Sequence, residues 1–165
     1  ATVGHFGADK FSDYWKTLVK GCAKIASGWT EAYNTDFSAG EGKGAYPIVV
    51  SYASSPSYTV SKDGASTTTA ALLDTAFRQV EYAGVLKGAA NPAGGQAFIN
   101  WMLSKDVQAD IPKKMYMYPV DSSVQLPEAL AKFGPLAEKP VEVAPAKIAA
   151  EREQWLKLWA SAVGK

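Results

Sequence analysis

Side chains suited to covalent or metal chemistry are scarce in this 165-residue chain. It has one cysteine, Cys22, and one histidine, His5. A single cysteine excludes an internal disulfide, and free cysteines are commonly buried, so we expect Cys22 to be a small apolar core residue. Neither a nucleophile–base–acid set nor a Cys/His cluster with zinc spacing occurs. The pattern predicts a protein that is not an enzyme, with no catalytic residues, no metal site and no cofactor.

Charge of one sign and long apolar runs are also lacking. Lysine and arginine number 17 and aspartate and glutamate 16, for a net charge of +1. Without a basic cluster there is no electrostatic case for nucleic acid or for a charged membrane surface. No apolar run approaches the ~18 residues of a membrane span. The chain opens Ala1-Thr2-Val3-Gly4 without a basic leader, so we expect a mature or truncated product.

Helical periodicity is clear in several segments. Apolar residues recur at helical spacing over 11–22. Asn91-Pro92 provides an N-cap followed by proline at the first helical position, which predicts a helix to about residue 104. A shorter helix follows from about 106 and is limited or kinked by Pro112. Two more helices are predicted, over 127–133 and 145–163.

Two segments favour buried strands, 46–52 with a continuous apolar centre and 77–87. The stretch 29–33 fits a short strand or a loop edge. The glycine-rich segment 38–44 is typical of a flexible connection. Alternating strands and helices predict an α/β fold, with residues 1–165 forming a single unit.

Aromatic and hydroxyl residues are what the chain offers for recognition. Trp29, Tyr52, Tyr58 and Tyr116 lie in or beside predicted strand ends and turns, where α/β sheets bind ligands. A π face attracts cations and stacks on flat heterocycles, and Ser51 can donate a hydrogen bond to oxygen or phosphate. Such rings also pack in cores, so spacing alone leaves both roles open. The chemistry suits binding a flat, polar, cationic molecule.

Four segments, GWTEAY (28–33), IVVSYASSPSY (48–58), FRQVEYAGVLKGAANP (77–92) and KKMYMYPV (113–120), together resemble the thiamine-binding proteins of bacterial ABC importers. The resemblance implies that this chain is the C-terminal half of a two-lobed type II periplasmic-binding-protein fold, and forms one lobe. By matched motif it implies ligand contacts from Trp29, Tyr52 and Tyr58. Tyr116 stands where the family can have a tryptophan.

The same resemblance implies a function and partners. The ligand would be thiamine, thiamine monophosphate or thiamine diphosphate, handed to an ABC permease in the membrane. The location would be extracytoplasmic, either periplasmic or at the cell surface. Segment 77–90 resembles the strand that crosses between lobes and is a candidate hinge.

Three alternatives stay open from the sequence. A protein of the same fold could bind ferric iron through a tyrosine pair, or a polyamine through carboxylates such as Glu31 and Asp36. An α/β enzyme could have its catalytic residues outside this chain. An exposed aromatic half-site could also lead the truncated chain to self-associate.

Overall fold

The computed structural model describes all residues 1–165 and is mostly helical. The α-helices are α1 (Thr2–Phe6), α2 (Phe11–Lys20), α3 (Pro92–Met102), α4 (Lys105–Met115), α5 (Glu128–Phe133) and α6 (Pro145–Val163). A π-helix spans Glu31–Asp36, and 3₁₀ turns span Ser55–Tyr58 and Leu73–Thr75. None of these helices has both the length and the apolar character needed to cross a bilayer.

The chain divides into two compact units. Unit 1 comprises Ala1–Ser51, Leu72–Arg78 and Ala137–Lys165, and unit 2 comprises Tyr52–Ala71 and Gln79–Leu136. The sequence could not indicate this division, because both units are assembled from segments that are distant along the chain.

Unit 1 is organised by helix α2 packing on helix α6. Trp15 meets Trp159 edge to face, with ring centroids 5.9 Å apart, and its indole Nε1 donates to Thr2 Oγ1 at 3.2 Å. Phe11, at the start of α2, is only 2% exposed. The apolar face predicted for this helix is therefore a packing face at these positions.

Unit 2 is organised by helix α5 packing on the Ser55–Tyr58 turn. Leu130 of α5 is 2% exposed and lies against Gly134, whose backbone also approaches Ser54 closely. The Tyr118 hydroxyl donates to the Gly134 carbonyl at 2.6 Å. Buried Gln108 donates to the Met102 carbonyl and accepts from the Val120 amide, both at 2.8 Å. These bonds satisfy polar groups that burial would otherwise leave unpaired.

Most predicted helices are confirmed. The Asn91 side chain accepts from the Gly94 amide at 2.9 Å, as an N-cap should, and α6 spans Pro145–Val163 as predicted. Helix α4 starts at Lys105 and continues through Pro112 to Met115. Cys22 is exposed, contrary to prediction. It follows the end of α2 with a φ of 70°, in a turn that does not enter the core.

The predicted strands at 46–52 and 77–87 are wrong for this structure. The β pairing in this structure consists of three isolated bridges: Phe37 with Tyr46, Val60 with Thr67 and Phe77 with Val141. The stretch 29–33 is helical and enters the π-helix. A strand needs a neighbouring ladder to satisfy its backbone groups, and neither segment has one. The predicted α/β class is therefore not confirmed by this structure, which is mostly helical.

Candidate functional site

A row of three aromatic rings is built on the π-helix of unit 1. Trp29 stacks on Tyr33 with centroids 4.8 Å apart and planes 14° apart, and Tyr33 meets Phe37 at 5.5 Å. Phe37 is 8% exposed and Trp29 is 44% exposed. The row therefore runs from the core to the surface, with a tryptophan at its exposed end. π-Helical turns occur frequently at functional sites.

The indole of Trp29 is also held by a polar contact. Its Nε1 donates to Ser51 Oγ at 3.0 Å. Two predicted site residues, 22 positions apart in the chain, are thus brought together within unit 1.

A lysine forms ion pairs with the two acidic residues at the ends of the π-helix. Lys24 Nζ lies 2.7 Å from Glu31 Oε1 and 2.7 Å from Asp36 Oδ2. Glu31 Oε2 also accepts from the Ser27 hydroxyl at 2.6 Å and the Ser27 amide at 2.9 Å. The hydrogen bond from Lys24, followed by those from Ser27, lowers the pKa of Glu31 to about 2. The same pair of carboxylates raises the pKa of Lys24.

The glycine-rich segment 38–44 is folded onto the π-helix, so the prediction of a flexible connection is wrong. The Gly42 amide donates to the Asn34 carbonyl at 2.7 Å, and the Gly44 amide donates to the Phe37 carbonyl at 3.1 Å. A Cβ on Gly44 would collide with the Asp36 backbone. Glycine is required here because the chain passes too close to the helix for any side chain.

A second aromatic pair lies in unit 2. Tyr58 and Tyr116 meet edge to face with centroids 4.5 Å apart and an interplanar angle of 89°. They are 47% and 54% exposed. The Tyr58 hydroxyl donates to the Pro112 carbonyl at 2.8 Å. Burial is the main cause of the raised pKa of Tyr58, so its hydroxyl stays protonated at neutral pH.

The backbone at Tyr116 is held in an unusual conformation. This residue follows helix α4 with a φ of 58°, in the left-handed region that non-glycine residues rarely adopt. Ser54, 2% exposed, donates its hydroxyl to the Tyr116 carbonyl at 2.9 Å. Buried bonding of this kind fixes a strained residue, and strain is common at ligand sites.

Tyr52 begins unit 2 and is 55% exposed. Its carbonyl accepts from the Ser55 amide at 3.0 Å and its amide donates to Ser55 Oγ at 3.3 Å, so residues 52–55 form a turn. The structure thus joins Trp29 with Ser51 and Tyr58 with Tyr116. Sequence reasoning missed Tyr33, although its position four residues after Trp29 was a usable signal for a ring pair on a helix.

Comparison with known proteins gives one consistent result. No family model and no solved structure matches the chain. The thiamine-binding periplasmic protein of Escherichia coli K12 is 32% identical over 152 residues, which is 92% of this chain and 44% of that protein. Those of Salmonella typhimurium and Brucella melitensis are each 30% identical over 95% of this chain and 46% of their own length.

The chain therefore spans about half the length of the curated relatives it matches. This share agrees with the resemblance to one half of a longer binding protein. The predicted relationship is confirmed: over nearly its whole length, the chain is homologous to just under half of the thiamine-binding periplasmic proteins.

Proposed function

We propose that this chain is the C-terminal half of an extracytoplasmic solute-binding protein, located in the periplasm, that captures thiamine or its phosphates. The captured ligand would pass to an ABC permease, and no chemical step is involved. The observation that carries this proposal is similarity over 92–95% of the chain to proteins named as thiamine-binding and periplasmic.

The exposed aromatic rings support this choice of ligand. Thiamine carries a permanent positive charge on a flat thiazolium ring, and a cation over a desolvated aromatic face gains about 1–2 kcal/mol. Trp29, Tyr52, Tyr58 and Tyr116 all leave a large part of their surface open. We propose these four rings and the Ser51 hydroxyl as ligand contacts.

The finer architecture is likewise a proposal. We place this chain in a two-lobed type II fold, with segment 77–90 as the hinge crossing. Arg78 is anchored in unit 1 by donating to the Ala137 carbonyl at 2.6 Å, and Phe77 forms its bridge with Val141. Residues 79–85, which follow this anchored end, form no backbone–backbone hydrogen bonds. Such a stretch is a suitable place for a hinge.

Two ligands that the sequence leaves open are less well supported. A polyamine needs several carboxylates free to pair with its amines, and both Glu31 and Asp36 already form an ion pair with Lys24, so one net negative charge remains at this position. Ferric iron needs tyrosinate oxygens, whereas burial raises the pKa of Tyr58 and its hydroxyl donates to a carbonyl. Both observations favour an organic cation that binds to ring faces.

Calorimetric titration of thiamine tests the proposal. We define the complementing half as the part of the E. coli relative outside the 152 matched residues. Thiamine is titrated into the chain alone and into the chain joined to the complementing half. We expect saturable binding by the joined protein and binding about tenfold or more weaker in its Trp29→Ala variant, the scale of one lost cation–π contact.

Trp101→Ala is the matched control, because Trp101 is 57% exposed and lies on helix α3, outside the proposed contacts. It should leave the affinity within about twofold, below the ~1.4 kcal/mol that a tenfold change represents. Absence of heat in the joined protein, or equal losses in both variants, would refute the thiamine assignment at Trp29.

A further inference from the structure

Two hydroxyl groups, one just before the Ser55–Tyr58 turn and one at its end, close the C-terminal end of helix α4 in unit 2. The Ser54 hydroxyl donates to the Tyr116 carbonyl at 2.9 Å, and the Tyr58 hydroxyl donates to the Pro112 carbonyl at 2.8 Å. The amide of Tyr116 donates to no backbone carbonyl, so the Pro112 carbonyl lacks the partner that a continuing α-helix would provide. Side chains therefore replace the backbone hydrogen bonds that commonly end a helix.

The conformation of Tyr116 needs support from outside the helix. Its φ of 58° and ψ of 21° are left-handed, where an L-residue other than glycine or asparagine meets a steric penalty. Ser54 is only 2% exposed, so water does not compete for its hydroxyl, and a buried hydroxyl without an acceptor is costly. The hydrogen bond from Ser54 to the Tyr116 carbonyl therefore favours the left-handed conformer over right-handed alternatives.

This backbone conformation determines where the Tyr116 ring lies, because the direction of the Cα–Cβ bond changes with φ. In the observed conformer the ring meets Tyr58 edge to face, with centroids 4.5 Å apart. The Tyr58 ring is fixed in turn by its hydrogen bond to the Pro112 carbonyl. Both rings keep about half of their surface exposed. A pair of exposed rings held in this way is organised before any ligand binds, which lowers the cost of binding.

We propose that Ser54 is a positioning residue for ligand binding: its hydroxyl holds Tyr116 in the left-handed conformer and thereby sets the Tyr58–Tyr116 pair in place before the ligand arrives. Ser54 is buried and acts through Tyr116. It sets the fraction of molecules whose ring pair is competent to bind, and the apparent affinity falls in proportion to that fraction. The choice of thiamine as the ligand rests on the proposed function, whereas the positioning of the rings does not.

Ring contacts in the chain alone, without thiamine, give the first test. Nuclear Overhauser effects between the rings of Tyr58 and Tyr116 should be present in the wild type and lost in Ser54→Ala. Backbone couplings of Tyr116 should report a positive φ in the wild type and a shift toward negative φ in the variant. Thr69→Val is the matched control, because it removes a hydroxyl bonded to Thr59 Oγ1 at 2.7 Å within unit 2. It should keep the ring contacts.

The thiamine affinity of the joined protein gives the second test. Ser54→Ala should weaken binding about fivefold or more, the change in population that one strained residue of this kind represents. Thr69→Val should leave the affinity within about twofold. In a Tyr116→Ala background, Ser54→Ala should cause no further loss, since the ring that it positions is absent. A general destabilisation would instead lower the affinity equally in both backgrounds.

Persistence of the ring contacts in Ser54→Ala would overturn the proposal, as would a right-handed Tyr116 in the wild type. An unchanged thiamine affinity, or equal losses with and without the Tyr116 ring, would also overturn it. Ser54→Cys fills similar space with a weak donor, and gives the same comparisons where the alanine variant does not fold. Absence of thiamine binding in the wild-type joined protein would refute the thiamine assignment alone, because the ring contacts decide the positioning of Tyr116 without it.

Discussion

At the scale of single residues, Lys24 sets the charge balance of the π-helix that follows Trp29, because it pairs with both of its carboxylates. It reaches the carboxylates at both ends of the π-helix, although it is 12 positions from Asp36 in sequence. The sequence identifies Glu31 and Asp36 as carboxylates near the aromatic residues but does not reveal their partner, because the path of the chain that brings Lys24 to them is not a local property. Surface ion pairs usually contribute little singly, but a lysine shared by two acids also limits how the helix ends can move.

Lys24→Gln should raise the pKa of Glu31 from about 2 toward 4.5, the value of a glutamate without partners. A carboxylate whose pKa is lowered by folding stabilises the protein fully above its unfolded pKa. That contribution is lost as pH falls through the folded value. The wild type should therefore lose the stabilising contribution of Glu31 between pH 4.5 and about 2. In the variant this contribution is smaller, so stability should fall less over the same range.

Side-chain NMR titration of Glu31 measures this pKa directly. Lys16→Gln is the control, because Lys16 pairs only with Asp13, at 3.0 Å. An unchanged Glu31 pKa in the Lys24 variant would show that the ion pairs do not persist in solution.

Tyr118→Phe removes the hydroxyl that donates to the Gly134 carbonyl. We expect a loss of about 1 kcal/mol at neutral pH, the usual net value of one hydrogen bond. Burial raises the pKa of Tyr118 to about 12, from 10.0. Because folding raises this pKa, the protonated Tyr118 hydroxyl contributes stability that is fully present below pH 10 and is lost as pH rises through about 12. The variant should lack this alkaline loss.

Urea unfolding at pH 7 and at a series of pH values above 10 checks this expectation. Tyr82→Phe, at a tyrosine 91% exposed, should behave like the wild type. A Tyr118→Phe protein with the same alkaline profile as the wild type would contradict the assignment.

At the scale of elements, the π-helix depends on its surroundings more than on its own sequence. Segment 38–44 folds back on it and donates to the carbonyls of Asn34 and Phe37 near its end. Local propensity distinguishes helix from strand weakly in so short a stretch. The local propensity of residues 31–36 contains no information about the hydrogen bonds that segment 38–44 donates to them.

Gly44→Ala should destabilise the protein by about 1–3 kcal/mol, because its Cβ would force the backbone away from Asp36. Thermal unfolding gives the loss, and Trp29 fluorescence should shift as the ring row is disturbed. Gly28→Ala is the control, since an added Cβ there meets no atom within 4 Å. Equal stability of the two variants would mean that the close approach is relieved at no cost.

At the scale of the whole molecule, the two units have separate and very small cores. Apart from the prolines Pro56 and Pro112, four apolar side chains are buried: Phe11, Phe37, Leu130 and Ala137. Of these, Leu130 alone belongs to unit 2. Stability should therefore differ between the units and respond locally to core changes.

Leu130→Ala should cost unit 2 about 2–5 kcal/mol, as for other buried leucines. Hydrogen exchange should speed up in helix α5 and the Ser55–Tyr58 turn, and remain unchanged where α2 packs on α6 in unit 1. Leu158→Ala, at a leucine 40% exposed on α6, is the comparison and should not affect unit 2. Uniform acceleration across both units would show that they unfold as one.

The sequence by itself determined the features that depend on neighbours along the chain. These are the helices and their signals, such as the Asn91 cap and the Pro145–Val163 span, and the ordered motifs that carry the homology. Each depends on hydrogen bonds or side-chain spacings within a few residues. Local composition was therefore sufficient for them.

Only the tertiary structure decided the features that need distant partners. The Lys24 ion pairs, the Trp29–Ser51 bond and the Tyr58–Tyr116 pair all join residues far apart in sequence. The predicted strands fail for the same reason. A strand exists only when another segment supplies its ladder, and neither 46–52 nor 77–87 has a ladder in the fold of this chain.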